Sequence, residues 1–176
     1  MIYAVTGGIG SGKTYYCKQL EAQGLPVFNC DIEAKRIIRT DHEVKKQLIA
    51  TVGPEVYDEQ GQLQKAVLAA FICRGEAYAN QVDRIVHPKV ASVFKTWARE
   101  HLQTHKDVYM ECALLYETGF DQFVDEVILV TANIETRIER VMARDNVTRE
   151  KALAWMALQM PEEEKARRAH HIVRND

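Results

Sequence analysis

Near the start of the chain stands the run Gly7-Gly8-Ile9-Gly10-Ser11-Gly12-Lys13-Thr14, from which the architecture follows. It fits the spacing G-x-x-x-x-G-K-[ST], and its surroundings fit as well, because the β-rich run Ile2–Thr6 precedes it and a helical pattern over 13–23 follows. The glycines let the backbone turn tightly, so that successive N–H groups converge on phosphate oxygens. The helix that follows offers its positive N-terminal end to the same anion. In such a cradle Gly7, Gly8, Gly10, Ser11 and Gly12 supply backbone, Lys13 reaches the outer phosphates of a nucleoside triphosphate, and the Thr14 hydroxyl ligates magnesium. The bland alternative is a glycine-rich turn with an incidental lysine, and the flanking strand and helix weigh against it.

Further β-rich runs lie at 26–29, Val108–Glu111 and 127–131, with a weaker one at 171–173. The clearest are continuous apolar runs, which suits strands of a parallel sheet buried on both faces. Helical patterns separate them, at 32–40, 89–103, 134–144 and 149–159, and Pro161 followed by three glutamates reads as one more helix start. This alternation predicts a doubly wound α/β sheet of about five strands, a P-loop NTPase-like fold in a single domain over 1–176. Residues 32–105 are too many for one crossover. They read as a mostly helical insertion, with turn signals at Gly53-Pro54, Gly61 and His87-Pro88.

Composition narrows the field. A chain of 176 residues with 47% hydrophobic and 27% charged residues has the makings of an ordinary core. A formal charge of −2 gives no basic field for nucleic acid, so an anion must be held by a few placed groups. The four cysteines form no CxxC pair and suit a reducing cytoplasm. The start of the chain reads as a strand rather than a leader, and no run approaches the ~20 apolar residues of a membrane span. The expectation is a cytoplasmic protein without membrane or nucleic-acid partners.

Other residues qualify by position. Asp31 follows the second strand at the sheet edge where open α/β folds bind ligands. There it suits a general base taking a proton from a hydroxyl, and equally an N-cap for a helix from Ile32. Glu111 ends the third strand, in the place of an acid that completes a magnesium shell or touches the acceptor; a surface glutamate is the alternative. Arg137, Arg140 and Arg144 fall within an arc of roughly 60° on a helix. Such a face suits a lid over transferring phosphates, or else a solvated surface paired to Glu135 and Glu139. His101 and His105 carry no metal-site pattern.

The chain resembles the dephospho-CoA kinase family over nearly its whole length. The resemblance rests on the phosphate loop, on Val27-Phe28-Asn29-Cys30-Asp31 with Ala34-Lys35-Arg36, and on Val86-His87-Pro88. It extends to Glu111-Cys112-Ala113-Leu114-Leu115-Tyr116-Glu117, to Arg140 with Arg144-Asp145-Asn146-Val147-Thr148-Arg149-Glu150, to Gln159-Met160, and to Ile172-Val173-Arg174-Asn175. The resemblance implies transfer of the ATP γ-phosphoryl group to the ribose 3′-hydroxyl of dephospho-CoA, with ATP and Mg2+ as cofactors. The expected working form is a monomer or weak homo-oligomer. It implies that Asp31, Lys13, Arg140 and Arg144 serve catalysis. Tyr15 and Asn175 join the loop in holding nucleotide, and Asp31, Arg36, Lys65, His87 and Glu111 contact the acceptor. It also makes 32–105 the CoA-binding insertion and about 134–160 the lid. Departures from the family pattern are Asn29 for its first aspartate, Tyr15 for a threonine, Ala113 for a proline, and Gln64, Lys65 and Ala69 for an acid and two arginines. The family also runs on into a helix beyond the position of Asp176. Kinases of other acceptors, such as nucleoside monophosphates or shikimate, share the same cradle. A GTP switch protein would need an Asn-Lys-x-Asp segment after a strand, where this chain has Thr131-Ala132-Asn133.

Overall fold

Ala4 and Val5, Val108 and Met110, and Val127 through Val130 are all less than a tenth exposed. These apolar runs are inner strands with both faces covered, as continuous rather than alternating hydrophobicity requires. The structure is a computed structural model that describes residues 1–176. It contains five strands, β1 (Ile2–Thr6), β2 (Val27–Asn29), β3 (Val108–Glu111), β4 (Glu126–Thr131) and β5 (His171–Arg174), in one sheet of order β2-β3-β1-β4-β5. Every pairing is parallel. β5 is an edge, and Ile172 on it is half exposed.

The chain divides into two compact units, Met1–Asn29 with Trp97–Asp176, and Cys30–Thr96. The first holds the sheet, α1 (Lys13–Ala22) and the helices that follow β4. α1 docks through Cys17 and Leu20 on Val5 and Val130.

The second unit is helical: α2 (Cys30–Thr40), α3 (His42–Val52), a 3₁₀ turn at Pro54–Val56, α4 (Lys65–Ile72) and most of α5 (Glu76–His101). Ile37, Leu48, Val56 and Phe71 are buried within it. The Tyr57 hydroxyl donates to the Ile38 carbonyl at 2.6 Å. Asp41 caps α3, accepting from the Val44 N–H at 3.0 Å.

Two expectations change here. His87-Pro88 is not a turn, because Pro88 lies inside the 26-residue α5. An interior proline forfeits one backbone bond and costs ~3 kcal/mol. Val82, Val86, Val90, Phe94 and Ala98, spaced four apart and all nearly inaccessible, offset that by burying one continuous stripe. The helical unit is also shorter than 32–105. α2 begins where β2 stops, and Trp97 rejoins the sheet unit, its ring 5.4 Å from that of Phe28.

After β4 come α6 (Ile134–Asp145), α7 (Arg149–Ala157) and α8 (Glu162–Arg168). The polar side chains Asn133 and Thr148 cap α6 and α7. The two helices close on a cluster of Ile138, Val141 and Ala152, into which Ile9 of the glycine loop also packs.

Candidate active site

The glycine loop leaves β1 at Thr6 and enters α1 at Gly12, which caps the helix in the left-handed region at φ 88°. Gly10 has φ 81°, and a Cβ on it would lie 2.5 Å from the Arg137 carbonyl oxygen; on Gly12 it would collide with the Asn175 amide. Both positions therefore require glycine. α1 has neither a side-chain cap nor an acid in its first turn. Its leading N–H groups are thereby left for an anion.

The pairing register sets Glu111 of β3 beside Val5 of β1 and Asn29 of β2. Glu111 is 5% exposed, so it is no surface residue. Its Oε1 lies 2.7 Å from Lys13 Nζ and accepts from Thr14 Oγ1 at 2.8 Å, while Oε2 accepts from Asn29 Nδ2 at 2.9 Å. Burial pushes this carboxyl up, but the Lys13 charge and the hydrogen bonds from Lys13, Thr14 and Asn29 outweigh it and hold the group below its ordinary value. Asn29, which the sequence marks only as a departure, presents a donor here where an aspartate would set carboxylate against carboxylate.

The three arginines of α6 do not act as one face. Arg137 is buried, its Nε donating to the Ile9 carbonyl at 3.0 Å and its Nη1 lying 3.5 Å from Glu162. Arg140 Nη1 donates to the Gly10 carbonyl at 3.3 Å. Arg144, at the exposed end of the helix, turns to Asp145 at 2.7 Å. Of the acids that a solvated face would pair with these arginines, Glu135 instead pairs with Arg149 at 2.7 Å. Asn175 Nδ2 donates to the Ser11 carbonyl at 3.1 Å, and Tyr15 is 61% exposed.

Of two further residues, Gln159 stands out in the sequence only through the family resemblance, and Lys165 not at all. Gln159 Oε1 accepts the Ile9 N–H at 2.9 Å. Lys165, in a run of charges that reads as solvated, is fully buried; burial pushes its amine down, against the pull of Glu117 and Glu162. No one-dimensional signal distinguishes it from its exposed neighbours.

In the helical unit, Asp31 is exposed in the first turn of α2. The helix already begins at Cys30, so Asp31 is not its N-cap. β2 runs straight into α2 without the linker residue that a cap needs. Arg36 is held by Glu33 at 2.8 Å. His87 lies 3.6 Å from Asp83, one turn away on α5. Lys65 opens α4 and shares a cavity of about 290 Å³ with Lys35, Arg39, Ile38, Leu63 and Leu68. Lys35 and Arg39 are one turn apart on α2, a spacing visible in the sequence.

A parallel sheet whose central strand feeds a glycine loop and an uncapped helix, with an acid from the adjacent strand bonded to the loop's lysine and threonine, defines a P-loop phosphotransferase. Residues 1–176 match the dephospho-CoA kinase family, CoaE, and the chain belongs to that family. A dephospho-CoA kinase of Bacteroides fragilis is 39% identical over 172 residues, covering 98% of this chain and 83% of the relative. A Thermus thermophilus protein of known crystal structure superposes with a TM-score of 0.83 at 32% identity, over 100% of this chain and 88% of that one. Dephospho-CoA kinase from Campylobacter jejuni shares the fold, with a TM-score of 0.74 at 20% identity over 99% and 87% of the two chains. The chain is an ATP-dependent kinase, and its reaction, phosphorylation of the ribose 3′-hydroxyl of dephospho-CoA, completes coenzyme A synthesis.

Proposed function

We propose the following division of labour for the transfer of the ATP γ-phosphoryl group to dephospho-CoA. Backbone amides of the loop and of the first turn of α1 bind the phosphates, and Lys13 places its charge against the outer two. Asp31 accepts the proton of the attacking 3′-hydroxyl. Arg140 and Arg144 act from α6 on charge that develops during transfer, Arg140 from beside the loop and Arg144 by exchanging its Asp145 partner for phosphate oxygen.

The observation that carries the reading is Glu111, bonded at once to the lysine and the threonine of the loop. Thr14 and Glu111 are hard oxygen donors set side by side, which fits a magnesium ion that takes one or two protein oxygens and fills its shell with water and phosphate. Thr14 and Glu111 would hold the ion, whose positive charge would offset that of the outer phosphates.

For the acceptor, the cavity lined by Lys35, Arg39 and Lys65 offers three cations, none engaged in an ion pair, over apolar walls from Ile38, Leu63 and Leu68. We assign it to the anionic diphosphate and the adjoining arm of dephospho-CoA. The cations of α2 would then stand in for the family arginines that Lys65 and Ala69 replace. Arg36 and His87 lie outside this lining and act, in this reading, at other parts of the acceptor. No helix is long and apolar enough to cross a membrane, and four cysteines without a disulfide suit a reducing compartment. We place the enzyme in the cytoplasm, as a monomer or weak homo-oligomer.

The test is ADP release by purified protein with ATP and magnesium, in the presence of dephospho-CoA, AMP or shikimate. Dephospho-CoA should stimulate far more than the others; equal stimulation by AMP would move the assignment to a nucleotide kinase. Lys65→Ala should raise KM for dephospho-CoA and leave KM for ATP alone.

A further inference from the structure

Both backbone polar groups of Ile9 are taken by side chains from more than a hundred residues later. Its N–H donates to Gln159 Oε1 at 2.9 Å, and its carbonyl accepts from Arg137 Nε at 3.0 Å. Its side chain packs with the Ile138–Val141–Ala152 cluster of α6 and α7. Ile9 is therefore held at three points in the middle of the phosphate loop.

Peptide planarity gives this grip a consequence for the neighbouring amides. In a trans peptide the C=O of one residue and the N–H of the next point in opposite directions. Fixing the Ile9 carbonyl on Arg137 turns the Gly10 N–H away from α6. Asn175 does the same to the Gly12 N–H by holding the Ser11 carbonyl at 3.1 Å. Carbonyl oxygens, which repel phosphate, are thus pinned against donors, which leaves the Gly10 and Gly12 N–H groups on the opposite side of their peptides; the Ser11 N–H between them donates to the Gly8 carbonyl at 3.1 Å. The Ile9 N–H, already spent on Gln159, is not a phosphate ligand. Arg137 is 6% exposed and balanced by Glu162, so it acts from behind the loop.

We propose that Arg137 and Gln159 are positioning residues for phosphoryl transfer. They form a clamp on the two sides of Ile9 that sets the loop amides before nucleotide arrives, without either side chain touching it. The proposal rests on the kinase reading only so far as the loop binds ATP. Without the clamp, the ordering of the loop is charged to the binding step, so affinity for ATP falls while the chemical step keeps its groups.

The variants Gln159→Leu and Arg137→Gln should each raise KM for ATP about tenfold with kcat within threefold of wild type, and Arg137→Lys should recover part of the loss. KM for ATP within twofold of wild type in both folded variants overturns the proposal. A measurement on the unaltered enzyme stands beside these in case a variant fails to fold. By amide hydrogen exchange, Ile9 should be protected without ATP and gain nothing from it, whereas Gly10 and Gly12 should gain protection. An Ile9 amide that exchanges freely until ATP is added would show that it ligates phosphate, and the clamp would be wrong. Exchange with and without ATP needs no acceptor, so a failure of dephospho-CoA in the acceptor panel leaves this result standing on its own.

Discussion

Replacing Glu111 with glutamine isolates the charge at the centre of the site. At 2.7 Å from Lys13, a full pair of charges attracts by about 6 kcal/mol at an effective dielectric constant of 20. Taking the carboxylate out of water costs several kcal/mol in return, so the net contribution is a small remainder. Glutamine removes attraction and desolvation together. Its amide oxygen can still accept from Thr14 and Lys13, and Asn29 can turn its own amide to present oxygen to the new NH2 group. The expected loss is therefore ~1–2 kcal/mol, a fall in Tm of roughly 2–8 °C at 2–4 °C per kcal/mol for a chain of this size. Activity should suffer far more. The variant loses the anionic oxygen that would complete the magnesium shell beside Thr14, and single-turnover phosphoryl transfer should drop by about 10² or more. The assay is thermal melting with single-turnover ADP formation at saturating ATP, magnesium and dephospho-CoA. A rate within threefold of wild type, with the small melting shift intact, would refute the role given to Glu111 and reduce its contacts to packing.

Asp31→Asn should leave ATP binding and Tm unchanged while the single-turnover rate falls ~10² to 10⁴, the lower end suiting a loose transition state; a rate within threefold of wild type sinks the general base. Arg140→Ala should lower kcat and weaken ATP binding several-fold, because Arg140 also holds the Gly10 carbonyl. Arg144→Ala, exposed and paired only with its neighbour Asp145, should lower kcat with Tm and nucleotide affinity unmoved, and unaltered kinetics would return it to the surface. Asp41→Ala should cost ~1 kcal/mol through the lost cap of α3, and Asp41→Asn almost nothing. The hydrogen bond from the Val44 N–H, with Lys89 assisting, holds the Asp41 carboxyl below its ordinary value. Its contribution is present above pH ~4 and is lost as pH falls through the lower folded value. Asp41→Asn should therefore flatten that part of the acid unfolding curve, and an unchanged curve contradicts the assignment.

Features that depend on neighbours along the chain are legible in the amino-acid order. Apolar runs without alternation declared buried parallel strands, so β1 and β3 are legible to the residue. The glycine spacing before Lys13 declared the phosphate loop, because left-handed φ values and an uncapped helix start are local requirements. The sequence also signalled a break at His87-Pro88, and there it misled. Proline's local preference is worth only a few kcal/mol, and the buried stripe from Val82 to Ala98 outweighs it. Which side chains meet is set by the folded arrangement of the elements. Asn29 and Glu111 are 82 residues apart and face one another because β2 and β3 are paired in that register. Lys165 is buried among charges that look solvated on paper. The three arginines of α6 share an arc by periodicity, yet they part company because the loop covers one end of the helix and solvent the other. Periodicity fixes where a side chain leaves its own helix. What it finds on leaving depends on strand order and on elements more than a hundred residues away, and no local pattern carries that information.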